Sequence, residues 1–302
     1  MRISYIFFAV VLGILLFSEL GCPSSKRGRG SNANSLQIKG SDTEVNLVQR
    51  LAEAFMARHK GAKIAVTGGG SGTGIAALFN GTTDLANSSR PMKPKELSRA
   101  KKKGITPVGV VFAMDALSVI THPSNPLKSL TLEQLGLIYR GKIRNFKEVG
   151  GPDLEINLYG RQSNSGTFVY FRDTVLKGDY SPKMKNMPGN SAIVAAVKND
   201  RSGIGYVGIG YVVKGGKKIE GVHIVPLKRG EEVVDPLHRE NIRSGKYPLA
   251  RPLYQYCNGK PTGLLLKFLQ FELSEDGQKI VEEEGFYPVT PQYREANKKL
   301  GL

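Results

Sequence analysis

Three times along the chain, a short apolar strand pattern leads into a loop of small polar residues and then into an apolar stripe with helical spacing. Leu36-Gln37-Ile38-Lys39-Gly40 alternates as a half-buried strand does. Ser41-Asp42-Thr43-Glu44 follows, and Leu47, Val48, Leu51, Ala52 and Phe55 then share one face of a helix expected from about Glu44 to His59. Ser41 and Glu44 have the spacing of a capping box. The second unit runs from Lys63-Ile64-Ala65-Val66-Thr67 through the glycine-rich stretch Gly68 to Gly74 into Ile75, Leu78 and Phe79. In the third, Ile156-Asn157-Leu158-Tyr159-Gly160 leads through Arg161-Gln162-Ser163-Asn164-Ser165-Gly166-Thr167 into Phe168, Phe171 and Val175. This alternation is compatible with an α/β fold.

The loops share a chemistry. A helix N-terminus presents unpaired backbone N–H groups and partial positive charge, glycine permits close backbone approach, and Ser or Thr hydroxyls add donors. Three such loops after three strands point to a cradle for an oxyanion, and Arg161 adds a full, fixed positive charge. A nucleotide phosphate loop is excluded at Gly74, because Ile75 and Ala76 stand where Lys and Ser or Thr are required. A dinucleotide fingerprint starting at Gly68 fails at Thr73, where its third glycine belongs, although Gly70-x-Gly72 and Gly72-x-Gly74 retain a weak form of it.

The 302 residues suffice for one large or two ordinary domains, and 40% apolar with 23% charged residues spread along the chain argue against wholesale disorder or a coiled coil. The 43 Lys and Arg against 26 Asp and Glu leave +17, which suggests attraction to anions, nucleic acid or an acidic membrane surface. Ile6 to Phe17 form an apolar run behind Met1 and Arg2, too short for a spanning helix and read as a signal peptide over residues 1–21. Leu20-Gly21-Cys22 resembles a bacterial lipobox, with Glu19 a departure from its usual aliphatic residue, so Cys22 is the expected lipidation site. Pro23 to Ser35 contain no large apolar side chain and have linker composition. A lipidated Cys22 leaves Cys257 without a disulfide partner, which is tolerable if that thiol is buried. Val108 to Ile120, the other long apolar tract, is interrupted by Asp115.

Several ordered segments together resemble the phosphate-binding proteins of bacterial ABC phosphate uptake systems over residues 36 to 290. They are Gly40-Ser41-Asp42-Thr43, Gly68 to Gly74, Asp84 to Arg90, Asp115-Ala116-Leu117, Asn125-Pro126, Leu130-Thr131, Ile138 to Ile143, Arg161 with Ser165-Gly166-Thr167, Ile204 to Val207 and Tyr247-Pro248-Leu249. The resemblance implies a type II periplasmic-binding-protein fold, two α/β lobes with a ligand cleft between them and crossovers near Phe112 to Leu117 and Tyr211 to His223. The implied organisation is a signal peptide over 1–21, a lipid-anchored linker over 22–35, one lobe from 36–114 and 221–302, and a second from 115–220.

The same resemblance implies ligand contacts from Ser41, Asp42 and Thr43 in the first loop, Ser71 in the second, and Arg161, Ser165, Gly166 and Thr167 in the third. Some members of the family place an aspartate where this chain has Ser89, and its carboxylate accepts the proton that distinguishes hydrogen phosphate from sulfate. Asp42 or Asp115 is then the candidate replacement, with Asp42 equally readable as a helix N-cap. Arg90 is readable either as a second anion contact or as an ion-pair residue. The implied function is extracytoplasmic capture of inorganic phosphate and delivery to an ABC permease, without catalysis or cofactor, by a membrane-anchored monomer. A receptor for sulfate or arsenate and an enzyme acting on phosphate esters are the alternatives.

His59, His122, His223 and His238 lack metal-ligand spacing, and Ser165 has no histidine base near it in sequence. Lys101-Lys102-Lys103 and Lys217-Lys218 read as solvated faces, or as part of a basic surface that draws anions to the cleft. No zinc-finger, RNA-binding or helix-turn-helix signature accompanies the charge, so a nucleic-acid partner is not expected.

Overall fold

The computed structural model describes residues 34–302; the expected signal peptide, Cys22 and nearly all of the expected linker lie outside the described residues. The first part of the chain alternates β1 (Ser35–Gly40), α1 (Val45–Arg58), β2 (Lys63–Thr67), α2 (Ser71–Phe79), β3 (Leu85–Ser88), α3 (Pro94–Lys102) and β4 (Pro107–Ala116). The middle continues with β5 (Ser118–Thr121), β6 (Leu130–Thr131), α4 (Leu132–Tyr139), β7 (Asn157–Arg161), α5 (Gly166–Phe171), β8 (Lys185–Met187), α6 (Asn190–Lys198) and β9 (Gly203–Val207). A hairpin of β10 (Val213–Lys214) and β11 (Lys217–Lys218) precedes β12 (His223–Val225), β13 (Leu227–Arg229), β14 (Glu232–Val234) and α7 (Arg239–Arg243). The chain ends with β15 (Ala250–Asn258), α8 (Gly263–Leu273), α9 (Glu275–Glu283) and α10 (Pro291–Lys298).

These strands sort into two five-stranded sheets, ordered β2-β1-β3-β15-β4 and β12-β5-β9-β7-β8, beside a small sheet β14-β13-β6. Parallel strands come from the strand–helix units, which need a crossover helix; the antiparallel strand is β15 of the returning chain in the first sheet and β5, just after the first crossover, in the second. The apolar tract around Asp115 is β4, Leu117 and β5, so a single residue separates a strand of one sheet from a strand of the other. The return path, from β12 to β15, runs beside it: Leu117 N–H donates to Leu249 O at 3.0 Å, and Tyr247 Oη donates to Leu117 O at 2.9 Å.

Sheet membership departs from the expected division in two places. Asp115 and Ala116 pair with Arg251 and Ala250 in the first sheet, and His223 to Val225 pair with Thr121 to Val119 in the second. The second crossover, expected at Tyr211 to His223, therefore comes after β12, because the ladder hydrogen bonds hold that strand in the second sheet.

Packing explains which residues made the stripes. Leu47, Val48, Leu51, Ala52 and Phe55 of α1 are buried, and Phe55 meets Phe268 and Phe271 of α8 edge-on at 5.4 and 5.6 Å. Ile75, Leu78 and Phe79 of α2 pack with Ala86, Met92, Ala100 and Tyr256 in a second cluster. Below β7 lies an aromatic cluster of Tyr139, Phe171 and Tyr206, with Phe171 stacked on Tyr206 at 4.1 Å. Tyr206 Oη accepts the Arg161 backbone N–H at 3.2 Å, which ties the end of β7 to that cluster. Among the described residues, no helix is long and apolar enough to cross a membrane.

Cys257 is a free, buried thiol, and its burial pushes the pKa up to about 11. The thiolate is the reactive form, so at pH 8 only about one part in a thousand is available even to a reagent that reaches it. Native protein is therefore expected to show almost no reaction at Cys257 with a disulfide reagent at pH 8, and rapid stoichiometric reaction once unfolded in guanidinium. Equal rates in both states would contradict the buried placement.

Candidate functional site

The three strand-to-helix loops converge. The α2 helix starts at Ser71 and α5 at Gly166, with Ser165 as its N-cap, accepting from Phe168 N–H at 3.4 Å. The first loop differs from the capping-box expectation: Glu44 occupies the N-cap position of α1 with no side-chain cap bond, and its side chain is buried instead. Asp42 is likewise not the N-cap. Its Oδ1 accepts the Gly69 N–H at 2.8 Å and its Oδ2 accepts Arg161 Nη2 at 2.5 Å, so it joins the first loop to the second and third.

Hydroxyls form the centre. Thr43 Oγ1 and Thr167 Oγ1 are 2.9 Å apart, Thr167 Oγ1 and Ser89 Oγ 3.4 Å, and Ser89 Oγ and Ser71 Oγ 3.4 Å. All four residues are buried. A hydroxyl is both donor and acceptor, so the group can satisfy itself internally and can rotate to donate collectively to an oxyanion. Ser41 is buried one turn of chain away, with its backbone N–H on Asn87 O at 3.0 Å.

Two buried guanidinium groups flank the hydroxyls. Arg161, with a side chain 2% exposed, donates through Nη2 to Asp42 and Pro188 O, while Nε and Nη1 have no hydrogen-bond partner. Arg251 was not singled out from the sequence. Its Nε and Nη2 donate to Asp115 Oδ2 at 2.9 and 2.8 Å, Nη1 to Ser89 O at 3.1 Å, and Nη2 also to Thr167 Oγ1 at 3.0 Å. The available signal was a single charge in each of two strands, Asp115 in the apolar β4 and Arg251 in β15; their pairing depends on a register no periodicity contains.

Arg90 does not join the site. Its guanidinium makes a two-pronged ion pair with Glu96, both bonds 2.7 Å, and donates to Pro91 O. Burial opposes ionisation of Glu96, but the Arg90 bonds and the Lys93 N–H outweigh it and hold the carboxyl below its usual range. The Arg90 terminal nitrogens are thus engaged in the ion pair, while its Nε is buried with no hydrogen-bond partner.

The glycines serve contact between loops. A Cβ on Gly166 would lie 2.2 Å from Ser71 Oγ and 2.8 Å from Ser89 Oγ, and one on Gly70, at φ +91°, would lie 2.8 Å from Asn164 O. Gly72 N–H donates to Asn164 O at 3.0 Å, and Asn164 Nδ2 donates to Gly69 O at 2.9 Å. The second loop is thus stapled to the third at Asn164, through its carbonyl and its side-chain amide, at an approach that a Cβ on Gly70 would obstruct. Among the described residues, no group of three or more His, Cys, Asp or Glu is gathered for a metal ion.

Removing Asp115 leaves the Arg251 charge buried and unmatched. Asp115→Ala is expected to lower the free energy of unfolding by about 3–5 kcal/mol, read from urea denaturation midpoints. A loss within the few tenths expected of a surface substitution would show that the pair is not the buried anchor described.

A family model for a PBP superfamily domain matches residues 25–276. The phosphate-binding protein PstS of Pseudomonas aeruginosa is 36% identical, over 93% of this chain and 91% of that protein. PstS of Bacillus subtilis is 30% identical over 98% and 95%. A Clostridium perfringens protein, assigned as a phosphate ABC transporter substrate-binding protein and solved with bound phosphate, superposes with a TM-score of 0.76. It is 31% identical, and the match covers 85% of this chain and all of that one. With its two sheets linked by paired crossovers and its convergent loops, the chain has the type II periplasmic-binding fold and belongs to the PstS phosphate-binding protein family of the PBP superfamily.

Proposed function

We propose that this protein binds inorganic phosphate outside the cytoplasmic membrane and hands it to the membrane subunits of an ABC permease. The observation that carries this reading is the convergence of the Thr43, Ser71, Ser89 and Thr167 hydroxyls on a buried site flanked by Arg161, whose Nε and Nη1 are unpartnered. A small dianion satisfies those donors with short, charge-assisted bonds in a low-dielectric interior, where each is worth more than in water. The Ser41, Ser165, Gly166 and Thr167 backbone and hydroxyl groups complete the proposed contact set, and Asp42 orients Arg161 rather than touching the ligand.

Each large sheet with its helices is read as one lobe, divided at Leu117 and within the segment from 226 to 249. The ligand enters and leaves by movement of the lobes about these paired crossovers. A signal peptide, lipidation of Cys22 and a monomeric state remain part of the proposal, supported by the sequence pattern at the N-terminus and by a cleft complete within one chain. Binding without catalysis is favoured because the Ser165 hydroxyl is engaged as the cap of α5, with no base bonded to it. Ser89, a hydroxyl where an acidic acceptor would stand, favours testing sulfate and arsenate as rival ligands.

Titration calorimetry of Arg161→Ala is the direct test. Phosphate affinity should fall by about 2–5 kcal/mol, roughly thirtyfold to several thousandfold, and the thermal midpoint should fall as well, because the largely buried Asp42 loses its ion-pair partner and keeps only the Gly69 N–H; circular dichroism at the titration temperature checks that the variant is folded. Undiminished binding would remove Arg161 from the site.

A further inference from the structure

A fourth strand-to-helix turn reaches the site. β8 pairs in parallel with β7, Met187 opposite Arg161, so Pro188 and Gly189 leave the sheet beside Arg161 and open α6 at Asn190. The strand itself, Lys185-Asn186-Met187, is too polar and too short to stand out in the apolar pattern. Arg161 Nη2 donates to Pro188 O at 3.3 Å, which fixes the start of this turn against the guanidinium. On its far side, Asn190 Oδ1 accepts the Gly208 N–H at 3.3 Å, and Gly208 lies against Thr43: a Cβ there would be 2.7 Å from Thr43 Cγ2. Asn190 is therefore held in the same buried neighbourhood as Arg161 and Thr43.

Asn190 is 1% exposed. The Gly208 N–H identifies which end of its amide is the oxygen, and so turns the NH2 group the other way. That Nδ2 has no hydrogen-bond partner, and neither have Arg161 Nε and Nη1. Tyr211 is a neighbour of the amide, but its hydroxyl gives its own hydrogen to the Asp42 carbonyl and forms no bond of normal geometry with Nδ2. Gly189, at the N-cap, offers no side chain to the first N–H groups of α6. We propose that Asn190 is a further ligand-binding residue, whose Nδ2 donates to the bound phosphate together with Arg161 Nε and Nη1.

The chemistry of the donors favours an anion. A hydroxyl can donate or accept, whereas an amide NH2 and a guanidinium only donate. Buried donors left without partners cost free energy, and an oxyanion is the group that satisfies several of them at once. The nine-residue α6 adds the partial positive charge of its N-terminus. This part of the site suits phosphate oxygens that carry no hydrogen, which leaves the P–O–H group to the hydroxyls of Thr43, Ser71, Ser89 and Thr167, since those can accept.

This inference rests on the phosphate-binding reading, and the experiment separates the two. Phosphate is titrated calorimetrically into the parent, Asn190→Ala, Asn190→Asp and Tyr211→Phe, and the parent is crystallised with phosphate. Asn190→Ala should weaken binding by about tenfold to a hundredfold. Asn190→Asp keeps an oxygen for the Gly208 N–H but replaces the donor by an acceptor, and should weaken binding further. Tyr211→Phe should bind far better than Asn190→Ala. In the crystal, Nδ2 should lie about 2.7–3.2 Å from a phosphate oxygen. Because Asn190→Ala also frees the Gly208 N–H, and because a variant that does not fold gives no titration, this distance decides between contact and support. An Nδ2 turned onto Tyr211 Oη, or held away from the ion, overturns the inference, as does parental affinity in Asn190→Ala or Asn190→Asp or an equal loss in Tyr211→Phe; phosphate binding by the parent then still stands. A parent that binds no phosphate overturns the inference together with the reading beneath it.

Discussion

Two guanidinium groups sit in the interior of one site, and a buried full charge is tolerated only where matched charge and hydrogen bonds replace the lost water. Arg251 meets that condition within the first sheet, through Asp115 in the paired strand, and extends to Ser89 O and Thr167 Oγ1. Asp115 stands two residues before Leu117, so this ion pair fixes the point at which the chain passes between sheets. Arg161 meets the condition across the cleft, through Asp42 of the first loop. Both cations are therefore paired within the protein, and Arg161 still keeps two donors, Nε and Nη1, without a partner.

Matching charges across a cleft requires the loops to approach closely, and steric bulk would prevent it. Gly166 against Ser71 and Gly70 against Asn164 are the places where a Cβ has no room. The glycine-rich stretch was read from sequence as backbone that lets an anion come near; in the folded chain the same freedom lets one loop lie on another, with Gly72 N–H on Asn164 O. The two roles are linked, because donors from separate loops become a single cradle only when the loops touch.

Beneath the site, rigid elements set the geometry. The backbone of Arg161 is held by the Tyr206 hydroxyl, itself 2.9 Å from Tyr180 Oη, in an aromatic cluster beneath β7. Tyr211 Oη donates to the Asp42 carbonyl, and the α5 N-cap is Ser165. The side chains of the candidate site are thus anchored to a sheet and to helix ends.

Local pattern was enough to place the strand–loop–helix units, since Leu47, Leu51 and Phe55, or Ile75, Leu78 and Phe79, bury one face whatever else the chain does. The chemistry of the loops, Arg161 among them, was legible for the same reason: helix ends and small residues act within a few positions. Arg251, the engagement of Asp42, the diversion of Arg90 to Glu96 and the burial of Glu44 were not legible. Asp115 and Arg251 are 136 residues apart and meet through strand register, and Asp42 and Arg161 are 119 apart and meet where the first and third loops converge. The sequence by itself determined which groups are available to hold an oxyanion; only the tertiary structure decided which of them are already engaged, because the partner of a buried charge is chosen by three-dimensional proximity and not by position along the chain.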